Sequence, residues 1–435
     1  MKDIIEERLN IDLSFDLGKK EIVINNNVYT FYYVSSLINQ DGISILLQTI
    51  FDLNDIFKIT NLQASRVYSI DEFITGILSG MLGICGNELI IIDFRNYPGR
   101  EPSEPDTEKI VRGARDGFTE NIIKNCGLLR RRIRTPQLIN ELYKIGYESK
   151  TDLCLTYIKN KVDLSLLEII RNSLKEINSK EIVMADKAIE ELIITNKWSA
   201  YPLVRYTERP DTLAIHLYQG KIGIIVDNSP VSIILPTTYF DHLEHAEEFR
   251  QRPLIGTILK NLRLFGVLIS LFLMPIFMLS LINQNHFFNL ELRKTSGILI
   301  QVLIAEVGIE FLRTASIHTP TPLSNAMGIL AGVLIGEMAI SIGLFTPEIV
   351  LFSAISQIAS YITPSYELGL ANKLSKIIFL ILTYFFLTTG LIIGIILWII
   401  YLYNLKSFTK RYLYPIIPFN KNDFLKIFIR FPHKK

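Results

Sequence analysis

The sequence has almost no surplus of charge of either sign: 45 Lys and Arg stand against 43 Asp and Glu, a net charge of +2. The electrostatic footprint of a polyanion-binding protein is missing, and nucleic acid is not an expected partner. Cysteine is scarce. Cys85, Cys126 and Cys154 show no CxxC or Cys/His spacing. That argues against a zinc site or a disulfide framework, and the three read as small buried hydrophobes in a reducing compartment. Neither GxGxxG nor GxxxxGKS/T occurs, and GxSxG and HExxH are absent as well. The usual phosphate cradles, the nucleophile elbow and the zinc-protease helix are thereby removed. No catalytic residue, metal site or cofactor is expected, and the chain reads as a non-enzyme. The opening MKDIIEERLNIDLS is charged throughout and lacks an apolar h-region. No signal peptide is expected, so the N-terminal half should stay cytoplasmic.

What is present divides in two. A chain of 435 residues is too long for one ordinary domain. The mean hydropathy of +0.30 averages a soluble part, up to about Lys260, with a strongly apolar remainder. The expected fold class is an α/β cytoplasmic head of two subdomains followed by an α-helical transmembrane bundle. The expected boundaries are 1–96 for an N-terminal α/β subdomain, 97–116 for a proline-rich linker and 117–250 for a second α/β subdomain. A transmembrane helical region over 251–405 and a basic cytoplasmic tail over 406–435 follow.

In the head, Glu21–Ile24 and Val28–Val34 read as a hairpin around Asn25, Asn26 and Asn27. Glu88–Phe94 is a continuous apolar strand of the kind covered on both faces. Tyr97–Pro105 admits neither a regular helix nor a central strand. Gly117–Ile133 reads as a helix and Asp152–Lys159 as a strand. Asp163 caps a helix beginning LSLLEII, and Ala185–Thr195 is another helix. Lys221–Asp227 and Val231–Leu235 form a second hairpin. Asp241, His242, His245 and Glu247 are expected on a solvated helix face. The basic run Arg130–Arg134 reads as a solvated or inter-subunit surface that can pair with the acidic segment Glu101–Glu108.

In the apolar half, Leu264–Ile282 is free of charge over about 19 positions, enough to cross a hydrocarbon core of roughly 30 Å. Ile377–Tyr403 is charge-free for about 27 positions and must tilt or overrun such a core as a single span. Between them, Gly297–Ile317 places Glu306, Glu310 and Arg313 on one helical face. Those groups either line a polar path or form an interhelical ion pair, unless the helix lies at the interface. Gly328, Gly332 and Gly336 form a small-xxx-small register suited to close helix packing, with Glu337 beside it. Thr346, Pro347 and Glu348 mark a helix start, and the helix carries the stripe Ser353, Ser356, Gln357 and Ser360. Interhelical hydrogen bonding and a water-filled path both account for that stripe. The candidate ion path is Glu306, Glu310, Glu337, Ser353, Ser356, Gln357 and Ser360. Arg250, Arg252, Lys260 and Arg263 precede the first span, while Lys406, Lys410, Arg411 and Lys421 follow the last. Both ends are therefore expected on the cytoplasmic side, with an even number of crossings. Five apolar segments are visible, so one should fail to span, the short Glu348–Ile362 first.

Several strings, in order, resemble the A-subunit family of bacterial spore germinant receptors. They are DFRNYPGREPSEPDTEKIVRGARDGFTENI, LLRRRIRTPQL, SKTDLCLTYI, RQRPLIGTILKNLRLFGV and TPSYELGLANK. HTPTPLSNAMGILAGVLIGEMAISIGLFTPEI looks most like the stage V sporulation protein AF branch. The resemblance implies a multi-pass protein of the spore inner membrane, head cytoplasmic, acting in germination as an ion-conducting channel or receptor subunit. Its implied partners are membrane lipid, further copies of itself, and receptor B and C subunits or another small germination membrane protein. Before Asp93 no string matches closely, so nothing is implied there about a ligand pocket. A secondary transporter of a small solute is the alternative, and its signature, an internal repeat, is not found.

Overall fold

The computed structural model describes residues 2–11, 13–24, 27–38, 63–95, 108–180, 182–283, 297–318 and 337–432. Helix α1 (Lys2–Leu9) leads into β1 (Leu17–Ile24) and β2 (Asn27–Val34), paired antiparallel from Leu17–Val34 to Ile24–Asn27. This is the hairpin expected from the sequence, although Asn25 and Asn26 of its turn lie outside the described residues. With β3 (Ala64–Val67), β4 (Leu82–Cys85) and β5 (Leu89–Ile92) it makes an antiparallel sheet ordered β1-β2-β4-β5-β3. Helices α1 and α2 (Ile70–Leu78) cover one face, where Ile5, Phe73 and Ile77 cluster with Tyr32 and Leu89. Ile90 and Ile92 of β5 are buried on the other face, as its unbroken apolar run requires.

The second sheet follows α3 (Ile122–Arg132) and contains β6 (Leu138–Ile145), β7 (Thr151–Ile158), β8 (Arg205–Thr207), β9 (Ile222–Val226) and β10 (Ser232–Leu235). Its order is β6-β7-β9-β10-β8, again antiparallel. Side-chain alternation sorts the two faces. Leu153, Leu155, Ile222 and Ile224 meet α4 (Leu164–Lys175) and α5 (Ala185–Ile193), whereas Cys154, Ile225 and Ile234 meet α3 and α6 (Pro210–Tyr218). Asp163 caps α4 as expected, its carboxylate accepting the Ser165 N–H at 3.0 Å. Helix α3 starts later than Gly117, because Asn121 takes the capping position and accepts the Lys124 N–H at 3.0 Å. All three cysteines are buried free thiols.

The basic run is a surface only in part: Arg131 and Arg134 are exposed and Arg132 is half-buried, but Arg130 is not at the surface. Arg130 is fully buried at the junction of the two sheets, and its guanidinium reaches both Asp16 oxygens at 3.0 and 3.2 Å. Arg132 pairs with Asp116 and, from the acidic segment, Glu108 pairs with Arg205 at 3.5 Å. The bidentate fork of arginine suits a carboxylate fixed by the chain before β1.

Past a short turn at Asp241–Leu243 and α7 (Ala246–Arg250) come α8 (Pro253–Asn283), α9 (Ile298–His318), α10 (Pro347–Ser360) and α11 (Tyr366–Asn404). Among the described residues, α8 and α11 are long and apolar enough to cross a membrane. Helix α11 is broken at Leu387 (φ 53°, ψ −135°) and doubles back. Phe379 and Trp398, which a straight helix would hold roughly 28 Å apart, have ring centroids 6.2 Å apart. The charge-free run expected to form one tilted span is thus a hairpin of two legs, 366–386 and 388–404. Gly390 and Gly394 let the legs touch. A Cβ at Gly390 would fall on the Leu382 carbonyl, and one at Gly394 would lie 3.0 Å from the Phe379 ring. Beyond α11, the pair β11 (Lys406–Ser407) and β12 (Lys410–Arg411) returns to the head, and α12 (Lys421–Phe428) packs on α8.

Candidate functional site

Within the helical region the charges gather where α9, α10 and the first leg of α11 meet. Lys376 Nζ lies 2.6 Å from Glu306 Oε2, with the side chains only 2% and 1% exposed. Lys376 also donates to Ser356 Oγ at 3.3 Å. Lys373, a helical turn earlier, donates to Glu310 at 2.7 Å and to the Glu306 carbonyl at 3.4 Å. Arg313 is 3.8 Å from Glu310, its guanidinium stacked over Tyr366 at 4.6 Å. Removing two charges from water costs several kcal/mol per ion, which only close pairing and further hydrogen bonds offset. Here the set is incomplete. Glu306 Oε1, both amide atoms of Gln357 and Thr383 Oγ1 have no hydrogen-bond partner among the described residues.

The structure thus brings together Glu306 and Ser356 through Lys376, with Glu310 at the edge, while the Gln357 side chain is buried without a hydrogen-bond partner among the described residues. Ser353 is buried against Met274 sulfur at 3.7 Å, Ser356 donates to the Ser270 carbonyl at 3.2 Å, and half-buried Ser360 donates to the Gln357 carbonyl at 2.7 Å. Glu337 is exposed. Gly328, Gly332 and Gly336 lie outside the described residues. Sequence reading missed Lys373 and Lys376. The signal for them was two lysines three apart just before the last apolar run, matching two glutamates four apart on another apolar helix.

One head residue grips both legs of the hairpin. The Tyr201 hydroxyl, 2% exposed, donates to Asn372 Oδ1 at 3.1 Å and sits 2.8 Å from Ser375 Oγ on the first leg. It accepts the Trp398 indole N–H at 2.6 Å from the second. Tyr239 and Tyr412 surround it.

Of the residues expected on a solvated helix face, His242 is buried, its ring beside Tyr412, while Asp241, His245 and Glu247 are half-buried. His242 donates from Nε2 to the Pro202 carbonyl at 3.2 Å, and burial, then Arg205, pushes its pKa down to about 3. Burial and Arg263 push His245 down to about 4. Burial alone would raise the Asp241 carboxyl, but Lys221, 2.7 Å away, and His216 hold it well below the usual carboxylate range. Sequence reading failed here because buried and solvated polar strings have the same composition. His216, Asp241 and Glu244 converge within 4.8 Å, yet they do not fit a metal. Arg205 donates to His216 Nε2 at 3.0 Å, Gln219 occupies Nδ1 at 3.1 Å, and Lys221 already compensates Asp241.

The whole chain can be placed among known proteins. A family model described as Bacillus/Clostridium GerA spore germination protein matches residues 3–435. The chain belongs to the GerA family. It is 42% identical over 450 residues to stage V sporulation protein AF of Bacillus subtilis (strain 168), covering 99% of this chain and 91% of that one. Spore germination protein A1 of the same organism is 27% identical over 439 residues, covering 96% and 91%. The N-terminal domain of the A subunit of the Bacillus megaterium spore germinant receptor GerK3 aligns at 25% identity. That alignment covers 55% of this chain and 94% of the domain, with a TM-score of 0.41. The secondary-transporter reading finds no support among these relatives.

Four of the strings that carry the resemblance lie wholly within the described residues of this GerA-family chain. LLRRRIRTPQL contains Arg130, SKTDLCLTYI is β7 with its leading turn, RQRPLIGTILKNLRLFGV opens α8, and TPSYELGLANK ends on Asn372 and Lys373.

Proposed function

We propose that this chain is a non-enzymatic, multi-pass subunit of the germination machinery in the spore inner membrane. Its head is cytoplasmic, and it assembles with copies of itself and with partner membrane subunits into a unit that conducts ions. The observation that carries this reading is the Glu306–Lys376 pair, buried among apolar helices with Glu306 Oε1 left without a hydrogen-bond partner among the described residues. Buried ionisable groups in membrane helices mark ion paths and relays. In the state described, each carboxylate of the pair cluster is neutralised by a lysine, so the path is closed. Opening it requires the first leg of α11, which bears both lysines, to move relative to α9. Tyr201 ties that leg to the head. Ser353, Ser356, Gln357 and Ser360 are the neutral lining, Glu337 faces a neighbouring copy, and Gly328, Gly332 and Gly336 form a packing surface between helices.

The test is ion flux through liposomes containing the purified protein. Lys376→Met leaves Glu306 buried and unpaired and should destabilise the protein by about 3–5 kcal/mol. The double variant Glu306→Gln, Lys376→Gln removes both charges. It should fold, and it should conduct with altered rate or selectivity. If wild type and double variant both incorporate and neither passes ions above empty liposomes, the conduction reading is wrong.

A further inference from the structure

Between the head and the first turns of α8 lies a cavity of about 370 Å³, within the size range of small-molecule sites. Its walls come from the α6–β9 turn, segment 241–248, α8 and the C-terminal segment 410–427. Lys260 and Leu264, one helical turn apart, both line it, and Leu264 opens the charge-free run of α8. The cavity therefore sits at the border between polar head and apolar helix.

Its lining carries both signs of charge, and most are matched. Lys221 pairs with Asp241 and Lys426 with Asp423, each at 2.7 Å. Lys260 stands 3.6 Å from Glu244. Three groups have capacity left. Lys410 is exposed, forms no ion pair among the described residues, and rests 5.5 Å over the Tyr414 ring. Glu244 and Glu248 each keep one carboxylate oxygen without a hydrogen-bond partner among the described residues. Glu248 is 1% exposed even though it lines the cavity, and its other oxygen is held by Arg263. An unpaired buried carboxylate oxygen is costly unless a donor reaches it. The matching ligand has N–H donors on a cation and an anionic oxygen within a few bonds, as in an aminoalkyl phosphate. At the bilayer border the abundant source of that chemistry is phospholipid.

We propose that this cavity binds the headgroup of an aminophospholipid, its ammonium at Glu244 and Glu248 and its phosphate at Lys410. The inference rests on the membrane placement proposed above and is independent of ion conduction. Choline, which has no N–H, cannot satisfy the carboxylates.

The test uses the full chain in nanodiscs of phosphatidylethanolamine, phosphatidylcholine or phosphatidylglycerol, with lipid retained after detergent extraction read by native mass spectrometry. Phosphatidylethanolamine should be retained selectively. Loss of a charge-assisted contact should cut retention about tenfold in Lys410→Ala and in Glu244→Gln, and Lys410→Arg should restore it. Lys410 is exposed, so its variants should fold. Equal retention of ethanolamine and choline lipids, or retention unchanged in both variants, overturns the proposal. Binding of soluble phosphoethanolamine with no lipid retained overturns the lipid source. Failure to enter nanodiscs at all would instead count against the membrane placement.

Discussion

His242 shows how a buried titratable group acts on the molecule without doing chemistry. Its ring lies beneath the junction of head and helices, hydrogen-bonded to the Pro202 carbonyl and close to Arg205, with its pKa pushed down to about 3. An unfolded histidine titrates near 6.5. Between those values the unfolded chain binds a proton that the folded chain refuses, so stability falls as pH drops through the window. The loss is at most about 1.4 kcal/mol per pH unit for this one ring. Glutamine at 242 retains an N–H donor and cannot titrate. His242→Gln should therefore flatten the acid limb of a plot of unfolding temperature against pH, with His216 and His245, both also shifted down by burial, among the groups that supply the slope that remains. An acid limb of unchanged steepness would show that the ring does not titrate on unfolding.

At the scale of elements, the hairpin in α11 is the feature with the largest structural consequence. The legs approach only because Gly390 and Gly394 present no side chain to Leu382 and Phe379. Trp398 lies edge-on to Phe272 and Phe379 in that seam. Gly394→Leu should part the legs and move Trp398 toward a wetter setting. In a Trp198→Phe background, a red shift of its emission is expected, and an unshifted spectrum would sink the hairpin. The head elements were legible because period-two alternation in β7 and the Asp163 cap of α4 are local signals. The hairpin was not. Leu387 is neither glycine nor proline, and counting charge-free residues cannot detect a reversal of direction. Glu306 and Glu310 stood out as charges in an apolar run, whereas Lys373 and Lys376 sat beside the polar string TPSYELG and blended with it. Arg130 and His242 looked solvated because burial of a charge depends on partners distant in sequence, Asp16 and Pro202 among them.

For the molecule as a whole, the route of the chain brings both ends of the helical region back to the head. The chain leaves the head at Pro253 and returns to it after Asn404: Ser407 Oγ donates to the Leu203 carbonyl at 2.6 Å, and the Tyr239 N–H donates to the Tyr412 carbonyl at 2.9 Å. Farther on, Lys260 donates to the Lys426 carbonyl at 2.7 Å. One apolar core runs from Leu155 and Ile224 of the second sheet through Leu271 to Leu368 and Leu402, so head and helices share a continuous interior. A single tilted span over 377–403 would carry the C-terminal segment away from residue 366, whereas a hairpin returns it to the same side. The two arrangements separate by cysteine labelling in a background with Cys85, Cys126 and Cys154 replaced by alanine. Lys175→Cys in the head and Phe419→Cys in the C-terminal segment should both resist an impermeant thiol reagent in intact cells and react after permeabilisation. Leu387→Cys, at the tip of legs roughly 25–30 Å long, reaches the far side of a core of similar thickness and should react without permeabilisation. Labelling of the Phe419 site in intact cells with the Lys175 site protected would restore the single span and remove the hairpin from the mechanism.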